Sequence, residues 1–404
     1  MKTIVLKFGG TSVGTIKKIK KVAEIISLFR KKKYKIIVIT SAMSGVTNDL
    51  IKKSKDISKN FSDIEYDALV STGEQIACSL IAGRLIHKGI KSRSWLAWQI
   101  PIFTSGLHKN SRIYKINKTN IYNSLKNGEI PIVAGFQGVN ERERITTIGR
   151  GGSDASAIMV AKFFKAERCI IYTDVEGVYT TDPNILKKAK KIKMISYEEM
   201  LEMASLGAKV MQPVSIQDAR LNRINIEVKS SLIKRSGTLI TNRSSIKRNK
   251  IITGISSTNN DSKITLVGVK DRPGVAASIF EPLSKNSINV DMVVQNISAN
   301  GKETDLTFTI KSEDLNKTKK IIRENKKINF KKLIFEKGVS KISIIGVGMV
   351  TTPGVTYRMF QSLANARINI QVISTSEIKI SVLINKKHTK KALLALHKEF
   401  KLLK

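Results

Sequence analysis

Two cysteines in 404 residues are too few for a disulfide framework or a zinc ribbon. Cys78 and Cys169 stand far apart, each in an apolar stretch, and read as reduced structural thiols, neither of them catalytic. Long hydrophobic runs are also missing. Nothing approaches the roughly 18 apolar residues that span a bilayer, and the opening run 3–6, broken at Lys7, is too short for a signal peptide. The expectation is a soluble, cytoplasmic globular chain with no membrane partner, long enough for about two or three domains.

Acidic residues are scarce as well: 71 basic minus 32 acidic side chains leave a net charge of +39. Such a surplus is usual for nucleic-acid binders. Here, though, the lysines fall in short scattered clusters, such as Lys17, Lys18, Lys20 and Lys21, and form no stripe interleaved with aromatics. No helix-turn-helix, zinc or RNP signature accompanies them. Specific nucleic-acid binding is therefore not expected, and the field is at most a mild attractant for anionic substrates.

What the chain does contain, up to about residue 230, is short apolar runs alternating with helical patterns. Strands are predicted at 3–6, 36–40, 132–136, 169–173 and 224–228, and helices at 16–30, 74–88, 153–164 and 197–205. That pattern belongs to an α/β fold whose largely parallel sheet is covered on both faces. Small residues follow several strands: Gly9 and Gly10, Ser41 to Gly45, then Gly135 and Gly138. Ligands bind along that edge in open α/β sheets. Residues 235–250 are polar and basic with no apolar period, which predicts a linker.

An internal repeat follows. Arg272-Pro273-Gly274-Val275 recurs as Thr352-Pro353-Gly354-Val355, and the offset of 80 (353 minus 273) holds without a gap through Phe280/Phe360, Leu283/Leu363 and Asn289/Asn369. Each copy reads strand, Pro-Gly turn, helix, strand, strand, helix, a ferredoxin-like unit. The first copy has a fourth strand near 332–335, whereas the second stops after its helix at 390–400. The orphan strand 251–256 could fill the edge left open. The second module is thus expected to be discontinuous, with the first inserted into it.

Three stretches carry chemistry. Lys7-Phe-Gly-Gly-Thr-Ser-Val-Gly14 places its lysine before the glycines, so it is no Walker loop, in which the lysine follows them. It fits a phosphate-binding turn, and it also fits an ordinary exit from a buried parallel strand. Thr146-Thr-Ile-Gly-Arg-Gly-Gly-Ser-Asp154 fits an anion-binding concavity beside a helix start, or a helix capped by Ser153 or Asp154. Tyr172-Thr-Asp-Val-Glu-Gly-Val-Tyr179, running on to Asp182 and Pro183, is stocked with hydroxyls and acids that could bond a ribose.

Taken together with Ser41-Ala-Met-Ser-Gly-Val-Thr47, Thr72-Gly-Glu74 and Ser205-Leu-Gly-Ala-Lys209, these motifs make nearly the whole chain resemble the aspartokinases. The resemblance implies a three-layer αβα amino-acid kinase fold of the carbamate kinase-like type, followed by two ferredoxin-like ACT domains. It implies a catalytic domain at 1–234, a linker at 235–250, a first ACT domain at 263–337, and a second built from 251–256 plus 340–404.

The implied activity is transfer of the ATP γ-phosphoryl group to the β-carboxylate of L-aspartate. Mg²⁺ would be held mainly by the ATP phosphates, with no metal site built by the protein. By resemblance Lys7 and Asp154 are catalytic, and Glu74, Arg150, Ser41, Thr47 and Ser153 bind the amino acid. Lys7, Gly9, Gly10, Thr173, Asp174, Tyr179, Asp182 and Lys209 bind ATP. In the repeat, Lys270, Asp271, Val275, Ala276, Asn289, Asp291 and Gln295, with Asn369, Ile370 and Glu377 in the second copy, match the face where ACT domains hold an amino acid. A homo-oligomer joined through the ACT domains and inhibited by lysine, threonine or both is implied. Two alternatives remain from the residues themselves: a kinase for another amino acid such as glutamate, and a basic ligand-sensing protein on an inactive kinase fold.

Overall fold

The continuous apolar run after Thr3 buries Ile4, Val5, Leu6 and Phe8 completely, so the strand Thr3–Phe8 is covered on both faces. It pairs in parallel with Lys35–Thr40 on one side (Ile4 opposite Ile36) and Arg168–Thr173 on the other (Ile4 opposite Arg168). The computed structural model describes residues 1–207, 210–246, 250–297, 303–325 and 328–403. It divides into two compact units, one of Met1–Val178 with Lys191–Arg248, the other of Tyr179–Lys190 with Asn249–Lys404.

In the first unit eight strands form one sheet in the order Met194–Ser196, Thr238–Thr241, Ile226–Ser230, Arg168–Thr173, Thr3–Phe8, Lys35–Thr40, Ile130–Ala134, Ser92–Trp95. All neighbours run parallel except Ile226–Ser230 with Thr238–Thr241. The helices Ile16–Lys31 and Thr72–His87 pack on one face. The first buries Ile19, Val22, Ala23 and Ile26, the i, i+3, i+4, i+7 stripe of an amphipathic helix, and Thr15 caps it by accepting the Lys18 N–H at 3.3 Å. Each fully buried isoleucine there contributes about 1.5–3 kcal/mol of transfer free energy. Four short strands form a second sheet, ordered Ile113–Ile116, Ile102–Thr104, Gln137–Val139, Ile145–Thr147.

Three expectations for this unit need correction. The strand placed at 132–136 is Ile130–Ala134, because Phe136 adopts a left-handed φ of 66° and cannot extend it. The strand placed at 224–228 is Ile226–Ser230. Within the stretch read as a linker, Thr238–Thr241 is a sheet strand between Met194–Ser196 and Ile226–Ser230. Its polarity concealed it. The buried Thr238 hydroxyl donates to the Ile192 carbonyl at 2.6 Å and accepts the Val178 N–H at 2.8 Å, so a polar residue is at home inside.

In the second unit a six-stranded sheet runs Val290–Ile297, Glu303–Lys311, Gly254–Lys270, Lys332–Ile345, Lys379–Asn385, Val372–Thr375. The two long central strands serve both copies of the repeat. Gly254 to Thr258 pair with Ile345 to Lys341 beside one apolar core, and Lys263 to Val267 pair with Glu336 to Lys332 beside the other. The register shifts between Thr258 and Lys263, where the strand passes from one copy to the next. The orphan strand expected at 251–256 begins instead at Gly254 and continues to Lys270.

Candidate active site

Lys7 stands near the end of the first strand, opposite Ile39 and Ile171 of its neighbours, and is 8% exposed. Its Nζ lies 2.6 Å from Asp154 Oδ1. The turn after it is tight: the Gly9 N–H donates to the Tyr172 carbonyl at 3.0 Å, and a Cβ on Gly10 would come within 2.9 Å of the Ala42 carbonyl. That contact, more than backbone freedom, requires a glycine at 10. A single helical turn, Gly10–Val13, follows.

Asp154 lies in the first turn of the helix Gly152–Phe163, whose opening turn is almost wholly buried. Gly149 and Gly151 both take φ of 76°, a left-handed conformation costly for other residues, and between them they present the exposed Arg150. The turn is anchored from below. The Ile148 N–H donates to the Phe136 carbonyl at 3.0 Å, and the Phe136 N–H donates to the Ser156 hydroxyl at 3.1 Å, which holds Phe136 in its strained conformation.

Glu74 enters from the helix Thr72–His87 and is 3% exposed. Its Oε1 accepts the Ala42 N–H at 3.0 Å, while Oε2 has no partner among the described residues. Burial pushes its carboxyl up to about 7, against the opposing pull of that N–H and of Lys7. A buried acceptor with no donor is suited to a ligand ammonium.

These groups share one cavity of about 660 Å³, which gathers Lys7, Gly10, Ser41, Thr47, Glu74, Arg150, Ser153 and Asp154. Gly9 is not among its walls. Tyr66, Lys109, Phe136 and Thr147 are, and none of these was predicted. Tyr66 comes from the helix Asp63–Val70, Lys109 from a loop and Phe136 from the turn between two strands, none marked by a motif, whereas Thr147 ends the strand Ile145–Thr147 within the glycine-rich stretch already singled out.

On the strand edge beyond, the Thr173 hydroxyl donates to Asp174 Oδ1 at 3.0 Å. Tyr179 and Asp182 belong to the segment Tyr179–Lys190, which is part of the second unit, where Asp182 Oδ1 accepts the Asn184 N–H at 2.8 Å. Lys209 lies outside the described residues. In the repeat, Lys270 ends its long strand, Asp271 follows it, and Val275 and Ala276 begin the helix Val275–Lys285. Asn289 precedes the strand that carries Asp291 and Gln295, and both Asn289 and Gln295 are exposed. Asn369 and Ile370 precede the strand Val372–Thr375, and Glu377 is exposed in the turn after it. Asp291 is paired with Lys341, a lysine only 5% exposed, so its carboxylate already has a cation.

Residues 2–230 match the amino acid kinase family, and residues 264–325 and 342–400 match the ACT domain. Over 404 residues the chain is 44% identical to the aspartate kinase of Stutzerimonas stutzeri, covering 100% of this chain and 98% of that one. It is 41% identical to aspartokinase 2 of Bacillus subtilis, covering 100% of this chain and 99% of that one. Among solved structures, the fold is similar to Escherichia coli aspartokinase III with aspartate and ADP (TM-score 0.77, 24% identity, 99% of this chain and 100% of that one). It is also similar to the aspartate kinase of Synechocystis (TM-score 0.56, 35% identity, 98% of this chain and 69% of that one).

Proposed function

The chain belongs to the aspartokinase family, and from that premise we propose how its own residues carry the reaction. It is an ATP-dependent kinase that passes the γ-phosphoryl group to the β-carboxylate of L-aspartate, giving 4-phospho-L-aspartate for lysine, threonine and methionine biosynthesis. The observation that carries the assignment of roles is the meeting of the Lys7–Asp154 pair, Glu74 with its open Oε2 and the Arg150 turn in one cavity.

A β-carboxylate, with a pKa near 3.9, is already an anion at pH 7, so the attacking oxygen needs no general base. It forms a bond to the γ-phosphorus as the bond from phosphorus to the bridging β-phosphate oxygen breaks, and ADP departs with that electron pair. The barrier is the approach of two anions, lowered by fixed cations and N–H donors. Lys7 faces the transferring group, and Asp154 holds its ammonium in place. Glu74 takes the substrate ammonium and Arg150 a substrate carboxylate as a bidentate pair, with the Ser41, Thr47 and Ser153 hydroxyls around them. Thr173, Asp174, Tyr179, Asp182 and Lys209 are assigned to the nucleotide.

Among the described residues no three His, Cys, Asp or Glu side chains cluster as a metal donor set. Mg²⁺ would be carried on the ATP phosphates, and Asp154 is the residue that would orient the ion or its water. When bound, the ion neutralises phosphate charge. The ACT repeat is proposed to bind lysine, threonine or both, and to join copies of the chain in a homo-oligomer. The test is ATP-dependent acyl phosphate formation, trapped with hydroxylamine, on aspartate, glutamate and UMP. Turnover with aspartate alone is expected, and its absence would overturn the assignment.

A further inference from the structure

Asp67 is a carboxylate with no exposed surface in the first unit, and the reaction above gives it no task. It sits in the helix Asp63–Val70, and residues from two other segments close on it. His108 Nδ1 lies 2.8 Å from Oδ2, the Lys109 N–H donates to the two oxygens at 3.2 and 3.0 Å, and the Thr147 hydroxyl donates to Oδ1 at 2.6 Å. Burying a carboxylate this fully is costly unless its oxygens are satisfied. Lys109 adds a second cost: its φ of 63° is a left-handed conformation that a non-glycine residue avoids. Capture of its N–H by both oxygens keeps it there.

Both arms of this cluster end at the turn that bears Arg150. Thr147 leads straight into it, and the Thr147 carbonyl accepts the Ser111 N–H at 2.9 Å. From the other side the loop itself abuts the turn, since a Cβ on Gly149 would fall 3.1 Å from the Lys109 carbonyl and 3.0 Å from Asn110 Oδ1. Thr147 and Lys109 also form part of the cavity wall. We propose that Asp67 is a positioning residue for aspartate binding. It locks the His108–Lys109 loop to the strand end at Thr147 and so fixes the Gly149–Gly151 turn at the height where Arg150 meets a substrate carboxylate. None of its bonds runs to Lys7, Gly10 or Thr173. Its influence therefore falls on aspartate and spares ATP. This role rests on Arg150 holding the substrate carboxylate.

Steady-state kinetics with aspartate and ATP varied separately test it on Asp67→Asn, Thr147→Val and Arg150→Ala. Asp67→Asn keeps the shape but loses one acceptor and the charge. It is expected to raise the aspartate KM by about tenfold or more while leaving the ATP KM within about twofold, since small displacements of a substrate clamp have effects of that order. Thr147→Val should raise the aspartate KM several-fold. An aspartate KM within twofold of wild type for Asp67→Asn, or equal rises in both KM values, overturns the role. Should Asp67→Asn not fold, Thr147→Val decides by the same criteria. An unchanged aspartate KM in Arg150→Ala would instead sink the assignment of Arg150. An impaired Arg150→Ala beside a normal Asp67→Asn would sink the positioning role alone.

Discussion

The Lys7 ammonium and the Asp154 carboxylate meet 2.6 Å apart, one from a strand end and the other from a helix start, with only 10% and 11% of their side chains exposed. Two elements distant in sequence thus deliver opposite charges to one point. In so dry a place each charge depends on the other for its stability and its aim.

Replacing Lys7 by Ala is expected to lower kcat by about 10²–10³-fold, the usual loss when one preorganised donor is removed from developing charge. Hydroxylamine trapping of the product reads it directly, and a wild-type kcat would refute the role. Asp154→Ala strands the lysine and should cost about 3 kcal/mol of stability in urea unfolding.

The pH dependence of Glu74 runs opposite to that of most carboxylates. Its folded pKa of about 7 lies above the ordinary 4.5, so folding favours the protonated form. That contribution is complete below about pH 4.5 and is lost as pH rises through about 7. Measured against Glu74→Gln, the wild type should lose about 3 kcal/mol of stability between those limits, at 1.36 kcal/mol per unit. Because only the ionised form attracts an ammonium, the aspartate KM of the wild type should fall as pH rises through 7. In Glu74→Gln it should be high and flat.

Gly151→Ala tests the turn rather than the charges. An alanine there must hold a φ of 76° and push its Cβ to 2.6 Å from Gln212 Cγ. About 1–3 kcal/mol of stability should be lost, with a higher aspartate KM from a displaced Arg150. Thermal unfolding and kinetics on the same sample distinguish this from a neutral change.

For the repeat, Asp291→Asn removes the partner of the buried Lys341. The lysine beside it holds the Asp291 carboxyl below its ordinary range despite partial burial, so its contribution is present above that range and is lost as pH falls through the lowered value. If Asp291 lies in the effector site, inhibition by lysine or threonine should weaken with kcat unchanged. Inhibition curves for each amino acid, alone and together, measure it. An unaltered curve would remove Asp291 from the effector site.

Much of the site was legible because its chemistry is written in short contiguous motifs: a lysine before two glycines, a Thr-Gly-Glu, an arginine between glycines. Each lies at a strand end or helix start, and the sheet topology converges them. Tyr66 and Lys109, which line the cavity, and Asp67, buried behind it, were not legible, since tertiary packing brings them there and no local pattern marks them. The strand Thr238–Thr241 was missed for a related reason, its inward threonine being satisfied by backbone groups remote in sequence. Sequence periodicity records which residues avoid water, but it does not record which polar atoms find partners inside.

The long strands Gly254–Lys270 and Lys332–Ile345 carry one last consequence. Although the repeat is two messages in sequence, the two copies are joined through both strands: the first lies between the pieces of the second, whose sheet needs Gly254 to Thr258 from one strand and Lys341 to Ile345 from the other. A chain cut before Gly254 or within either strand would leave the second copy with a raw sheet edge open to self-association, so that copy depends on chain lying on both sides of the first.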